Sequence, residues 1–120
     1  MCKINVEIMN DFTSEIINDL FIITVNLTRA TFKDVSKLQK LLSDAIHNGF
    51  KKILIEMNEV DYVDSTFLGL LVVYLKETIK TKGKICLVGL KPSVYTLVQH
   101  THLDKTFNIY ISRDDALKNM

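Results

Sequence analysis

Along this chain the spacing of apolar residues keeps switching between helical stripes and short buried runs, and that alternation dictates what it can fold into. From Lys33 to Asn48, residues Val35, Leu38, Leu41, Leu42, Ala45 and Ile46 recur on one stripe, with Lys37, Lys40 and Asp44 off it. This predicts an amphipathic helix, with Gly49 as its stop. Lys52 to Met57 is a short apolar strand. After a loop from Asn58 to Val63, a second helix is predicted from about Ser65 to Lys82, ended by Gly83. It is apolar around much of its first three turns, so it is expected to be covered on more than one side. Ile85 to Leu90 is another strand, and Pro92 suits the first turn of a third helix through Val94, Leu97 and Val98. Phe107, Ile109 and Ile111 alternate as a last strand. Ser112 then caps a final short helix, with Asp114 and Asp115 in its first turn where the helix dipole favours them.

Upstream of these, Ile4, Val6 and Ile8 alternate with Lys3, Asn5 and Glu7, the pattern of a half-buried strand. Leu20 to Leu27 reads as its antiparallel partner, with Asn10 to Asn18 as the connection and Asn18-Asp19 as a turn. Helices lying between the later strands require crossover connections, hence parallel pairing. The expected class is α/β: a mixed, mostly parallel sheet of four to five strands with about four helices. At 120 residues, and without internal repeats or linker-like tracts, positions 1–120 are expected to form one domain.

Charge and cysteine content narrow the function classes. Fifteen basic and fourteen acidic side chains nearly cancel, so no global field draws the chain to nucleic acid or an anionic membrane. No apolar run approaches the ~20 residues that span a bilayer, and the N-terminus lacks a signal-peptide pattern, which makes the cytoplasm the expected location. Cys2 and Cys86 are too few for a disulfide framework, and Cys86 is expected to be a buried free thiol. Phosphate-cradling glycine motifs are missing. Gly89 to Pro92 reads as a connecting turn, and His100, His102 and Asp104 read as an exposed helix end, so no metal or cofactor is expected. Ser65 has no nucleophile-elbow glycines around it, and no catalysis is expected.

The feature that stands out is Tyr62-Val-Asp-Ser-Thr-Phe-Leu-Gly69 at a loop-to-helix junction. Asp64 is placed to accept from the first N–H groups of the helix, and Ser65 is its first residue. A phosphate on Ser65 would be tolerated by the positive helix end.

Val60-Asp-Tyr-Val-Asp-Ser-Thr-Phe-Leu-Gly-Leu-Leu71 resembles the signature of bacterial anti-sigma factor antagonists of the STAS-domain family, in which Asp-Ser-Ser/Thr-Gly-Leu-Gly opens a helix. Leu38 to Gly49 with Lys52-Ile-Leu-Ile-Glu resembles the family's first helix and central strand, and Leu103 to Ser112 with Asp115-Ala-Leu117 its characteristic end. The resemblance implies a STAS-like fold and an interaction switch. Unphosphorylated, such a protein binds an anti-sigma factor that is also a serine kinase, freeing a sigma factor; phosphorylation releases it, and a serine phosphatase resets it. It implies Ser65 as phosphoacceptor, with Thr66 less favoured, and Asp64, Ser65, Thr66, Phe67 and Leu68 as the partner-binding set. At least one of Phe67 and Leu68 is then expected to be exposed. The other STAS role it admits is a non-switching scaffold or an accessory subunit of a regulatory or membrane transport complex. A monomer or weak dimer is expected. Two departures stand out: Phe67 replaces the family's Gly, and Thr28-Arg-Ala-Thr31 replaces its Gly-x-Leu-Asp turn.

Overall fold

The computed structural model describes residues 5–9 and 11–119. Cys2 and Ile4, read above as a thiol and a strand residue, lie outside the described residues, as do the side chains of 5–9. The strands are β1 (Asn5–Met9), β2 (Phe12–Ile17), β3 (Leu20–Val25), β4 (Arg29–Ala30), β5 (Lys52–Glu56), β6 (Tyr62–Val63), β7 (Lys84–Val88) and β8 (Asn108–Tyr110). The helices are α1 (Val35–His47), α2 (Ser65–Lys80), α3 (Pro92–His100) and α4 (Arg113–Asn119), with 3-10 turns at Phe32–Asp34 and Leu103–Lys105.

The main sheet runs β1-β2-β3-β5-β7-β8. Its first two pairings are antiparallel and the remaining three parallel. The α/β class, the mixed and mostly parallel sheet and the four helices are as expected, but the sheet carries one strand more than the four to five foreseen. The segment read as a connection between the first two strands contains β2, which separates them. One side carries a fully buried Phe12 beside the small polar Ser14, and the other carries Glu15, so the apolar alternation is too diluted to announce a strand.

Ile53, Leu54 and Ile55 are all fully buried, as befits a central strand covered on both faces. On one face α1, α2 and α3 pack Leu38, Leu42, Phe67, Leu71 and Val98 against Ile23, Ile55 and Leu87. Each such side chain contributes roughly 1.5–3 kcal/mol on burial. On the other face Ala116 of α4 meets Leu20, Ile22, Leu54 and Val88. Arg113 anchors α4 there. Its guanidinium pairs with Glu15 of β2 at 2.6 Å and with Glu56 of β5, and Thr24 of β3 donates to Glu56 Oε1 at 3.0 Å. Hydrogen bonding to Glu56 holds the guanidinium even more firmly protonated than usual.

The helix ends follow local chemistry. α1 closes with Gly49 N–H donating to Ile46 and Phe50 N–H to Ala45, both at 3.0 Å. At the end of α2 it is Lys82, not Gly83, that takes the left-handed conformation, with φ of 63°. Gly83 is needed for a different reason: a Cβ there would lie 2.4 Å from the Lys51 carbonyl oxygen. Pro92 opens α3, and Ser112 Oγ accepts from Asp115 N at 3.1 Å at the start of α4. Ile111 is 87% exposed, because the chain has already left β8 to enter α4. The expected coverage of α2 holds over about half of its circumference. Val73 and Ile79 are exposed, but the buried stripe through Phe67, Leu68, Leu71, Leu75 and Thr78 is flanked on both sides by Leu70, Val72 and Tyr74, half-buried against the core.

Candidate functional site

The strands β4 and β6 pair in parallel away from the main sheet, with Arg29 opposite Tyr62 and Ala30 opposite Val63. Thr28 O accepts from Asp61 N at 2.7 Å and Ala30 O from Asp64 N at 3.2 Å. These bonds fix the backbone on which the Asp64-Ser65 junction stands. Asp64 is the N-cap of α2 in extended conformation, the geometry that frees its carboxylate to turn back on the helix. Its Oδ1 accepts from Phe67 N at 2.8 Å. Its Oδ2 accepts from Phe32 N, also at 2.8 Å. One carboxylate therefore caps the helix and ties down the 3-10 turn from the preceding crossover.

The turn has its own closure. Thr31 Oγ1 accepts from Lys33 N at 3.4 Å, while Asp34 Oδ2 accepts from Thr31 N at 3.0 Å, a reciprocal capping box. Thr31 stands at the last position of the altered turn noted in the sequence. It serves here as a cap, and Phe32 beyond it is 64% exposed.

Ser65 and Thr66 are both exposed at the first turn of α2. An α-helix leaves its first N–H groups without helical partners, and its positive end lies beside the Ser65 hydroxyl. Phe67 and Leu68 are buried, at 0% and 6% exposure, so the expectation that at least one of them is exposed is overturned. They begin the stripe that faces the core. Outward from the same helix point Ser65, Thr66, Gly69 and Val73. Gly69 is not a point of close approach to the sheet, since a Cβ there would meet nothing within 4 Å.

Two shallow hollows flank the junction. One, of about 400 Å³, lies between α2 and the start of α3, with Ser65, Leu68, Val94 and Leu97 among its walls. Its rim is tied by Lys91 Nζ to Asp61 Oδ1 at 2.7 Å and by Ser93 Oγ donating to Asp61 O at 2.8 Å. The other, of about 520 Å³, is lined by Arg29, Phe32, Lys33 and neighbours. Tyr62 and Asp64 belong to both and form the ridge between them. The Arg29 guanidinium lies over the Tyr62 ring, 4.3 Å from its centroid. The structure therefore brings Asp64, Ser65 and Thr66 to one surface, places Leu68 at the floor of a hollow and withdraws Phe67 into the core. Sequence reading missed Arg29 and Phe32, because the pairing of two short strands across a crossover leaves no local pattern.

Elsewhere, Gly89 has φ of +72°, a left-handed conformation that residues with a side chain rarely adopt, and this accounts for the glycine in the Gly89–Pro92 turn. Among the described residues no group of three or more His, Cys, Asp or Glu side chains could hold a metal ion, and no helix is long and apolar enough to cross a membrane.

A sheet of this order, with an aspartate-capped serine opening its second helix, defines a STAS-like domain. The STAS domain family model matches residues 11–116, and the chain belongs to that family. A Thermotoga neapolitana protein named as an anti-sigma factor antagonist is 28% identical over 110 residues, covering 91% of this chain and 96% of that protein. Among solved structures, the Bacillus cell fate determinant SpoIIAA in its phosphorylated form superposes with a TM-score of 0.69 at 16% identity, covering 98% of both chains. A sulfate transporter family protein from Wolinella succinogenes superposes with a TM-score of 0.74 at 18% identity, covering 85% of this chain and 84% of that one.

Proposed function

We propose that the chain is an anti-sigma factor antagonist that works by docking rather than catalysis. Unmodified at Ser65, it binds an anti-sigma factor with serine-kinase activity and so frees a sigma factor. Phosphorylation of Ser65 by that kinase releases the complex, and a serine phosphatase restores the binding form. Thr66 is the secondary acceptor, and the docking surface is formed by Asp64, Ser65 and Thr66. The observation that carries this reading is the exposure of Ser65 at the start of α2, beside an Asp64 carboxylate whose two oxygens are already engaged.

The physical effect of modification has the right sign and size. A phosphoserine adds ~1.5 to 2 negative charges. The helix end offsets only ~0.3 to 1 kcal/mol of that, and Asp64 adds repulsion. Desolvating such a group at an apolar interface costs several kcal/mol. Moving a complex from almost fully bound to almost fully free takes about 5.5 kcal/mol. The test is incubation with the kinase and ATP followed by mass-spectrometric mapping. Phosphate on Ser65, lost in Ser65→Ala, is the expected result; incorporation at a residue outside the junction contradicts it.

Likeness to a sulfate transporter family protein favours one other reading, a STAS module of a regulatory or transport complex that never switches. Such a protein is not a kinase substrate, so the same experiment separates the two.

A further inference from the structure

We infer that the end of the domain opposite Ser65 is a docking surface for an acidic polypeptide segment, with Lys51, Lys82 and Lys84 as the groups that meet its carboxylates. The inference is independent of the Ser65 switch and goes beyond it.

Three connections come together there: the β2–β3 hairpin at Asp19, the α1–β5 loop at 48–51 and the α2–β7 turn at 82–83. With Lys52 and Lys84 they line a shallow hollow of about 410 Å³. Lys84 N donates to Lys51 O at 2.8 Å, and a Cβ on Gly83 would lie 2.4 Å from that same oxygen, so the lysine-bearing segments are in contact. The charge of this lining is one-sided. Asp19 is its single carboxylate among the described residues, and it meets Lys52 at 3.5 Å. Lys51, Lys82 and Lys84 have no carboxylate within ion-pairing distance among the described residues.

Both α1 and α2 end at this hollow, and their carbonyl ends favour some positive charge. Folding does not account for the rest. Lys52 and Lys84 are register partners on neighbouring strands, roughly 4.8 Å apart at the backbone, where like charges repel. Lys82 holds φ of 63°, a conformation that glycine or asparagine takes more readily.

The surroundings of the lysines select the anion. Phosphate groups are best held by arginine forks or helix N-termini, whereas no arginine lines this hollow and two helices turn their carbonyl ends to it. Carboxylates on alternate residues of an extended chain lie ~7 Å apart on one side. Charge spread in that way suits ammonium groups that reach in from a loop, a turn and a strand. Gly49 and Gly83 carry no side chain and Phe50 is half-buried, which leaves a trough that a chain can lie in and a planar bilayer cannot fill. Because α2 is 16 residues long, this end lies ~24 Å from Ser65, and a partner at each end can be bound at once.

The test titrates a short peptide of alternating glutamate and serine into the full chain, read by calorimetry and by amide NMR shifts. Its glutamine analogue, inorganic tripolyphosphate and phosphatidylglycerol vesicles are titrated in parallel. The variants are Lys51→Glu/Lys84→Glu, Lys82→Gly, and Lys33→Glu/Lys40→Glu, which makes the same change of net charge at exposed lysines outside the hollow. The glutamate peptide is expected to shift the amides of 48–52 and 81–84, and to bind at least tenfold more weakly to Lys51→Glu/Lys84→Glu but almost unchanged to Lys33→Glu/Lys40→Glu. Lys82→Gly should weaken the peptide while raising the melting temperature, which separates docking from folding. Equal losses in the two double variants, no binding of the glutamate peptide, or tighter binding of tripolyphosphate or vesicles than of the peptide overturns the inference.

Discussion

The two carboxylate oxygens of Asp64 are divided between Phe67 N, at the start of its own helix, and Phe32 N, 32 residues away in sequence, each at 2.8 Å. A residue that reads locally as a helix cap is thus also the tie between the two segments that frame Ser65.

From this comes a first prediction. Asp64→Ala removes the N-cap, which typically costs ~0.5 to 2 kcal/mol, and also orphans Phe32 N. The total loss of stability, measured by urea unfolding, is expected to exceed that of an ordinary cap deletion. Hydrogen exchange is the sharper readout. The amides of Phe32 and Phe67 should both lose protection in Asp64→Ala, whereas loss at Phe67 alone would show that the tie carries nothing.

Phe67 separates packing from docking. Its side chain is fully buried, so Phe67→Ala is expected to cost ~3 to 5 kcal/mol of stability. Partner affinity, measured at a temperature where the variant remains folded, should be unchanged. A tenfold loss of affinity with a normal melting temperature would restore Phe67 to the interface.

Gly69 lies exposed within α2 and a Cβ added there meets open space. Gly69→Ala should therefore stabilise the protein by up to ~1 kcal/mol, through helix propensity alone. A lower melting temperature would mean that the backbone at this position needs glycine.

Cys86 supplies a pH dependence. Burial pushes its thiol up from 9.0 to about 11, so the fold disfavours the thiolate. Stability is then fully retained below about pH 9 and falls as pH rises toward about 11. In a Cys2→Ser background, Cys86→Ala should flatten that decline relative to its parent while lowering stability at neutral pH through the small cavity it leaves. Parallel pH profiles for the two proteins would contradict the assignment.

How much of this was legible in the sequence depends on how local each cause is. The stripes of α1 and α2, the Pro92 start and the Ser112 cap are short-range, and the structure places them within a residue or two of expectation. The junction at Asp64-Ser65 was legible for the same reason. β2 was not, because Ser14 faces inward and Glu15 is neutralised only by Arg113 from the far end of the chain. The inward turn of Phe67 and Leu68 was misjudged, since the first turn of a helix can face either way until its neighbours are placed. The stacking of Arg29 on Tyr62 depends on two segments meeting across a crossover, which no spacing encodes.

In the proposed switch, phosphorylation of Ser65 decides whether the docking surface is occupied. Isothermal titration of the anti-sigma kinase against the unmodified protein and against the stoichiometrically Ser65-phosphorylated protein, in one buffer without nucleotide turnover, tests it directly. At least a tenfold weaker Kd for the phosphorylated form, with Ser65→Ala binding like the unmodified protein, is the predicted result. Equal affinities of the two forms would contradict it.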